Sequence, residues 1–213
     1  MATTIITDST SYIDPKLIEK YNIKIASLFV IFGQDEYQET EISNEDFYKE
    51  MAEKGIPVSS QPSLGELEKT MINELEKGND IIGIFISSVF SGTFNSANLL
   101  SLDLIDQYPD RKIKIIDSKS NSMQLGFAVL TGARLALDNA DFDSIVTAIE
   151  NNIERSRFLF IPENLDYLEK GGRIGKAGAL IGNVLKITPI LTVEAGNTEI
   201  YKKFELKKEQ LIR

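Results

Sequence analysis

The feature that most constrains the fold is residues 81–86, IIGIFI, a run without a polar side chain between two segments of helical spacing. A strand this apolar has to be covered on both faces, as the strands of a parallel sheet are. Similar runs rich in β-branched residues lie at 3–7, 24–32 and 113–116, and helical patterns separate them. This alternation predicts an α/β protein whose N-terminal parallel sheet is flanked by helices.

The pattern changes after residue 155. The sequence then predicts a strand at 157–161 that Pro162 ends, a helical turn at 163–170, a short helix at 179–186, an antiparallel hairpin of 187–193 with 198–204, and a last helix from 206. We therefore predict two domains, residues 1–154 and residues 155–213. The second is expected to be a smaller α/β domain with antiparallel strands, and its few elements make it look unfinished.

Missing residue types and the distribution of charge exclude several classes of catalytic site, metal site and partner. The chain of 213 residues has no His and no Cys, which excludes Ser-His-Asp and Cys-His catalysis and metal sites built on imidazole or thiolate. Its net charge is −9, with 12 basic against 25 acidic side chains in residues 1–154 and 11 against 7 in residues 155–213. Because phosphate contacts need clustered Lys and Arg, no nucleic-acid binding is expected. The basic end could meet an acidic partner or simply be solvated.

No apolar stretch approaches the roughly 20 residues of a membrane helix, and no secretory signal is visible at the N-terminus. The expected compartment is therefore the cytoplasm.

Polar segments follow the predicted strands, at 7–11 (TDSTS), 59–63 (SSQPS), 87–93 (SSVFSGT) and 117–120 (DSKS). Ligands of open α/β sheets bind beyond the carboxyl ends of the strands, so these segments are the candidate site. Asp8 and Ser9 are the less certain members, because an Asp directly after a strand also serves as a helix cap or as a staple between loops.

The segment 87–97, SSVFSGTFNSA, leads from a buried strand into a helix. A nucleophilic serine here would need a base within hydrogen-bond reach, and none is evident. Hydroxyls and free N–H groups at a helix N-terminus form an anion site instead, for which Ser91 and Thr93 supply hydroxyls and Gly92 permits close approach. The competing interpretation is that Ser91 or Thr93 is only a helix cap.

Ser59 and Ser60 repeat this arrangement ahead of another predicted helix. A cradle of hydroxyls without a lysine favours one carboxylate over a triphosphate. A GxxxxGK[ST] loop is also missing from the sequence, which excludes a P-loop.

The glycine-rich basic loop at 170–178, KGGRIGKAG, does not match the dinucleotide pattern GxGxxG and follows a helical turn rather than a strand. Its glycines are expected to expose Lys170, Arg173 and Lys176. Arg173 could hold a carboxylate or phosphate through two parallel hydrogen bonds, or it could be a solvated loop residue.

The motifs TDSTS, SSQPS, SSVFSGTFNSA, IIDS, LDYLEKGGRIG and KITPIL, in this order and spacing over residues 3 to about 203, resemble the DegV family. These are bacterial fatty-acid-binding proteins that act as the acyl-carrying subunit of fatty acid kinase. The resemblance implies a DegV-like two-domain fold with a long-chain fatty acid, such as palmitate, stearate or oleate, in a tunnel between the domains. It implies that Ser59 and Ser91 hold the carboxylate, with Gly92, Thr93 and the local backbone beside them; Ser60, Asp8 and Ser9 are less certain.

The resemblance also implies a partner. An ATP-dependent kinase subunit converts the bound carboxylate to an acyl phosphate, so this chain would not be catalytic alone and would need no cofactor besides its fatty acid ligand. Residues 171–173 correspond to the family's Gly-Gly-Arg loop near the mouth of the tunnel, and Lys170, Arg173 and Lys176 are the candidates for binding the kinase. Transient contact with a membrane is compatible with this role.

The sequence departs from the family at its end. Family members continue past the region of EIYKKFELKKEQL through elements that complete the second domain and often carry a histidine near the carboxylate. The second domain is therefore expected to be truncated relative to the family. Two alternatives remain: a stand-alone small-molecule kinase or hydrolase, which would need its own base and nucleotide loop, and an interaction module without lipid, which a collapsed cleft would favour.

Overall fold

The structure is a computed structural model that describes residues 2–181 and 187–205. Its strands are β1 (Thr3–Asp8), β2 (Lys24–Ala26), β3 (Phe29–Phe32), β4 (Asp35–Gln38), β5 (Val58–Ser60), β6 (Asp80–Phe85), β7 (Ile113–Asp117), β8 (Leu159–Phe160), β9 (Ile187–Glu194) and β10 (Asn197–Glu205). Its α-helices are α1 (Pro15–Lys20), α2 (Asn44–Lys54), α3 (Leu64–Glu76), α4 (Thr93–Gln107), α5 (Ser122–Leu137), α6 (Phe142–Arg155) and α7 (Asp166–Lys170). The helix predicted from residue 206 and most of the one predicted at 179–186 lie outside the described residues.

The predicted parallel sheet is confirmed. Its four strands run in the order β2-β1-β6-β7, and each neighbouring pair is parallel. Alternate side chains of a strand point to opposite faces, so the apolar run in β6 divides between two cores. Ile82 and Ile84 pack on the side of α5 and α6, while Ile81 and Phe85 pack on the side of α3 and α4. Coverage of both faces is the reason that this strand tolerates no polar side chain.

The prediction of one strand over 24–32 is wrong. The chain bends at Ser27 and Leu28, where the Leu28 N–H donates to the Ser9 hydroxyl at 3.0 Å, and it leaves the parallel sheet. Residues beyond the bend form β3, which pairs antiparallel with β4 on one side and β5 on the other. Continuous hydrophobicity concealed this change of sheet, because β2 and β3 differ in their partners rather than in their composition.

A third sheet, with the order β10-β9-β8, confirms the predicted antiparallel hairpin. Its turn uses Ala195 and Gly196 at φ values of 48° and 84°, the left-handed conformation that tight hairpin turns require. The turn packs on the end of β6, where the Ser87 hydroxyl donates to the Gly196 carbonyl at 3.0 Å. A Cβ at Gly196 would lie 2.6 Å from that hydroxyl oxygen, so glycine is also needed for close packing. The boundary at residues 154 and 155 stays a prediction.

Candidate functional site

A cavity of about 850 Å³ lies where the three sheets meet. This volume falls within the roughly 300–1,000 Å³ of small-molecule sites. Its apolar wall comes from all three sheets and their loops and consists of Leu28, Val30, Ile86, Phe90, Phe158, Phe160, Leu168 and Val193. Its polar lining consists of Thr10, Tyr12, Glu39, Ser59, Ser60, Gln61, Ser91, Gly92, Asn121, Ser122, Arg173 and Thr198.

The loop before α4 brings Ser91 and Gly92 to the cavity but not Thr93. The Ser91 Oγ accepts a hydrogen bond from the Thr93 N–H at 3.3 Å and lies 2.9 Å from the Thr93 hydroxyl. Thr93 is buried and does not line the cavity. Ser91 therefore supports the start of the helix and also faces the cavity, so the two interpretations of this serine are compatible. Among the described residues no carboxylate or amine hydrogen-bonds Ser91 as a nucleophile's base would.

Ser59 and Ser60 also line the cavity, but from a position that the sequence did not indicate. They belong to β5 at the edge of the second sheet, opposite Val30 and Phe29 of β3, rather than to a loop beyond a parallel strand. Within residues 2–181 and 187–205 neither hydroxyl has a protein hydrogen-bond partner. The Ser59 side chain shares its face of the sheet with Val30, another residue of the cavity lining, so its hydroxyl is available to a ligand.

Gln61 follows these serines and was missed as an individual residue by the sequence analysis. Its Oε1 accepts a hydrogen bond from the Ser96 hydroxyl on α4 at 3.2 Å, so its side chain bridges the SSQPS segment and the helix. Gly92 makes room for the bridge, since a Cβ there would lie 2.6 Å from Oε1. Its φ of −72° is open to any residue, so the close approach explains this glycine.

Asp8 and Ser9 are placed behind the cavity wall and do not line it. The Asp8 carboxylate accepts from the Ile86 N–H at 2.7 Å and the Thr10 N–H at 3.0 Å, and so joins the ends of β1 and β6. Burial raises the pKa of Asp8 to about 6, against the lowering effect of these hydrogen bonds. The Ser9 hydroxyl accepts from Leu28 and donates to Glu39. The structure thus supports the staple interpretation of Asp8.

Asp117 repeats this staple at the end of β7. Its carboxylate accepts from the Ser88 N–H at 3.2 Å, the Ser88 hydroxyl at 2.6 Å and the Lys119 N–H at 2.8 Å. The similar strings ITDSTS and IIDSKS therefore perform the same task, which is to fix the loops that lead to the cavity.

A carboxylate in the cavity wall was also missed by the sequence analysis. Glu39 lies just after β4 and accepts hydrogen bonds from the Ser9 hydroxyl and, at 2.7 Å, from the Tyr12 hydroxyl. Nothing in the local sequence distinguishes it from the other acidic residues of this region. Its place depends on the bend at Leu28, whose carbonyl accepts from the Glu39 N–H at 2.9 Å.

The basic loop reaches the cavity through Arg173. Its Nε donates to the Phe90 carbonyl at 3.0 Å, which joins the loop to the segment that leads into α4. Lys170 and Lys176 are exposed and do not line the cavity, and Lys176 pairs with Glu199 at 2.7 Å. The three side chains therefore share a loop, but only Arg173 contacts the candidate site.

Two kinds of feature are missing from the described part of the chain. No group of three or more Asp or Glu side chains there could hold a metal ion. None of the helices in that part has the length and hydrophobicity needed to cross a membrane.

These features define a class, an α/β protein with a cavity lined by residues of a parallel sheet, two antiparallel sheets and their loops. The sequence model of the DegV family, described as an uncharacterised protein family, matches residues 2–212. The chain belongs to the DegV family. A DegV domain-containing protein of Clostridium acetobutylicum is 51% identical over 208 residues, which cover 98% of this chain and 73% of that protein.

Solved structures agree with this assignment. A fatty-acid-binding DegV family protein of Thermus thermophilus superimposes with a TM-score of 0.87 at 27% identity, covering 97% of this chain and 72% of that one. A stearic-acid-binding protein of Eubacterium ventriosum gives 0.86 at 26% identity, with 96% and 71% covered. DegV of Bacillus subtilis, a fatty acid binding protein, gives 0.83 at 31% identity, with 98% and 73% covered.

Proposed function

We propose that this protein binds a long-chain fatty acid in the cavity and has no catalytic activity alone. The observation that carries the proposal is a cavity that combines an apolar wall with two serines, Ser59 and Ser60, whose hydroxyls have no partner in the described residues. Ser91 and Gly92 add a third hydroxyl and exposed backbone at the start of α4. Three structural relatives that bind fatty acids support the same interpretation.

The energetics of such a ligand are favourable. Burying one methylene group contributes about 0.8 kcal/mol, so about fifteen contribute on the order of 12 kcal/mol before the costs of association. The apolar wall would therefore supply most of the affinity. The serine hydroxyls would decide which end of the acid lies at the start of α4.

We further propose that the bound acid is presented to an ATP-dependent kinase. In that reaction a carboxylate oxygen attacks the γ-phosphorus of ATP, the bond to the β-phosphate oxygen breaks, and ADP leaves with an acyl phosphate as the other product. Lys170, Arg173 and Lys176 are the proposed kinase contacts, because their loop is exposed and Arg173 joins it to the cavity. The proposed compartment is the cytoplasm, where ATP is available.

Lipid extraction and mass spectrometry of the natively purified protein test the first proposal. The expected result is one equivalent of a fatty acid of the palmitate, stearate or oleate class, or uptake of one equivalent after incubation with palmitate. Protein that stays empty after this incubation would contradict fatty acid binding.

A charge reversal tests the kinase contact. With the kinase of the same organism and ATP, Lys170→Glu is expected to reduce acyl phosphate formation at limiting kinase, since it reverses an exposed charge beside Arg173. Lys69→Glu makes the same change on the exposed surface of α3 and should have no effect. Equal rates for the two variants would refute docking at this loop.

A further inference from the structure

Resting on the proposed function, we propose that Gln61 is a carboxylate ligand: its side-chain amide donates a hydrogen bond to the bound acid, while Ser96 holds the amide oxygen. Gln61 would then add a neutral donor to the serine hydroxyls and contribute to the preference for an acid over other lipids with the same tail.

The first observation is that the two ends of the Gln61 side-chain amide have different surroundings. Gln61 lines the cavity, and its Oε1 is occupied by the Ser96 hydroxyl at 3.2 Å. Its Nε2 has no hydrogen-bond partner within residues 2–181 and 187–205. A glutamine amide has one acceptor and two N–H donors, so the end left for a ligand is the donating end.

The second observation is that the alternative orientation of the amide does not suit an anion. If the Gln61 amide were reversed, its oxygen would face the ligand carboxylate. Both groups are hydrogen-bond acceptors, so no hydrogen bond could form between them. The anion therefore selects the orientation with Nε2 toward the ligand, and the Ser96 hydroxyl, which can donate or accept, fits that orientation by donating to Oε1. Hydrogen bonds to charged groups are stronger than those between neutral ones, which is why one amide can affect selectivity.

The third observation is the space that Gly92 leaves. A Cβ at position 92 would lie 2.6 Å from the Gln61 Oε1, although the backbone there would accept an alanine. The absence of a side chain at Gly92 is therefore what lets Gln61 reach α4 beside Ser91. The same contact offers a way to displace the amide without changing Gln61 itself.

The test compares dissociation constants for palmitic acid and for hexadecan-1-ol, which has the same tail and no charge. Gln61→Leu is expected to weaken binding of the acid about tenfold or more, by loss of a hydrogen bond to a charged group, and to change binding of the alcohol much less. A variant that only disturbed the fold would weaken both ligands alike. An unchanged ratio of the two constants in Gln61→Leu would overturn the proposal.

Gln124 provides the matched control. Its Oε1 accepts from Ser120 at 2.6 Å and its Nε2 donates to the Ser156 carbonyl at 3.0 Å, so both ends of this amide are used within the protein. Gln124→Leu is expected to lower the melting temperature and to keep the wild-type ratio of acid to alcohol affinity. The same loss of selectivity in both variants would count against a specific role for Gln61.

Gly92→Ala gives a second, independent measurement. It should reduce acid selectivity in the wild-type background by pushing the amide aside, and the reduction should be smaller in a Gln61→Ala background, where only the contact of the new methyl group with the ligand itself remains. Additive effects of the two changes would contradict the inference. If the wild-type protein bound neither lipid, both the proposed fatty acid binding and the role of Gln61 would be refuted. If it bound both lipids equally well, lipid binding would stand, and only the carboxylate site with its Gln61 ligand would be refuted.

Discussion

Removal of the Ser91 hydroxyl has two separable consequences, one for the fold and one for the ligand. In Ser91→Ala the Thr93 N–H loses its acceptor at 3.3 Å and the Thr93 hydroxyl loses its neighbour at 2.9 Å. Loss of a hydroxyl at a helix start costs about 1 kcal/mol. For a protein of this size that corresponds to a decrease in melting temperature of about 2–4 °C.

The effect on the ligand is larger than the effect on the fold. A hydrogen bond to a charged group contributes about 1.5–3 kcal/mol, so loss of the Ser91 hydroxyl should raise the Kd for a fatty acid roughly 10- to 100-fold. Against the ~12 kcal/mol available from the tail this is a modest loss, and the acid should stay bound at saturating concentration. Acyl phosphate formation should fall further than affinity, because phosphoryl transfer depends on the orientation of the carboxylate.

The assay is a titration with palmitic acid followed by single-turnover phosphorylation with saturating acid, ATP and kinase. Ser88→Ala is the control: it removes a hydroxyl from the same loop, but that hydroxyl bonds Asp117 at 2.6 Å and does not line the cavity. The control should lose stability and keep the wild-type rate. A Ser91→Ala protein with an unchanged rate at saturation would refute the assigned role of Ser91.

Three further predictions concern the cavity and the elements behind it. Because burial raises the pKa of Asp8 to about 6, its stabilising contribution is complete below about pH 4 and is lost as the pH rises through 6. Urea unfolding should show stability of the wild type falling over this interval by roughly 2–4 kcal/mol relative to Asp8→Asn, and parallel pH curves would contradict this. Gly126→Ala should lower the free energy of unfolding by roughly 1–3 kcal/mol, because a Cβ would lie 2.6 Å from the Ser11 carbonyl; an unchanged melting temperature would argue against that contact. Phe160→Ala removes a ring that stacks on Phe158 at a centroid distance of 5.0 Å, and it enlarges the cavity. In competition binding the variant should therefore prefer longer acyl chains than the wild type does. An unaltered chain-length profile would refute this.

Sequence patterns predicted the parallel sheet well, for a physical reason. The strand β6 is buried on both faces, so its composition alone reports its environment. The strand β4, with the sequence DEYQ, is short, half-exposed and polar, and no sequence pattern predicts it. It forms by antiparallel pairing with β3, and such pairing is a tertiary property that the local composition does not encode.

The candidate site was likewise predictable from the sequence only in part. Ser91 and Gly92 stand at a strand-to-helix junction, a position that sequence order reveals. The cavity lining also includes Gln61 and Glu39, which follow two strands of the second sheet, and Phe160, which belongs to the third sheet. Their convergence depends on how the sheets pack, and a single sequence contains no local signal for it.

The contact between Ser87 and the hairpin turn has a consequence for the order of folding. It joins residues 109 positions apart, and the lining of the cavity extends from Thr10 to Thr198. Contacts of such long sequence separation form late, because their loop-closure entropy is lost before any packing compensates for it. On the ribosome the parallel sheet can therefore assemble while the third sheet is still being synthesised. The lining of the cavity is complete only after residue 198 has been synthesised.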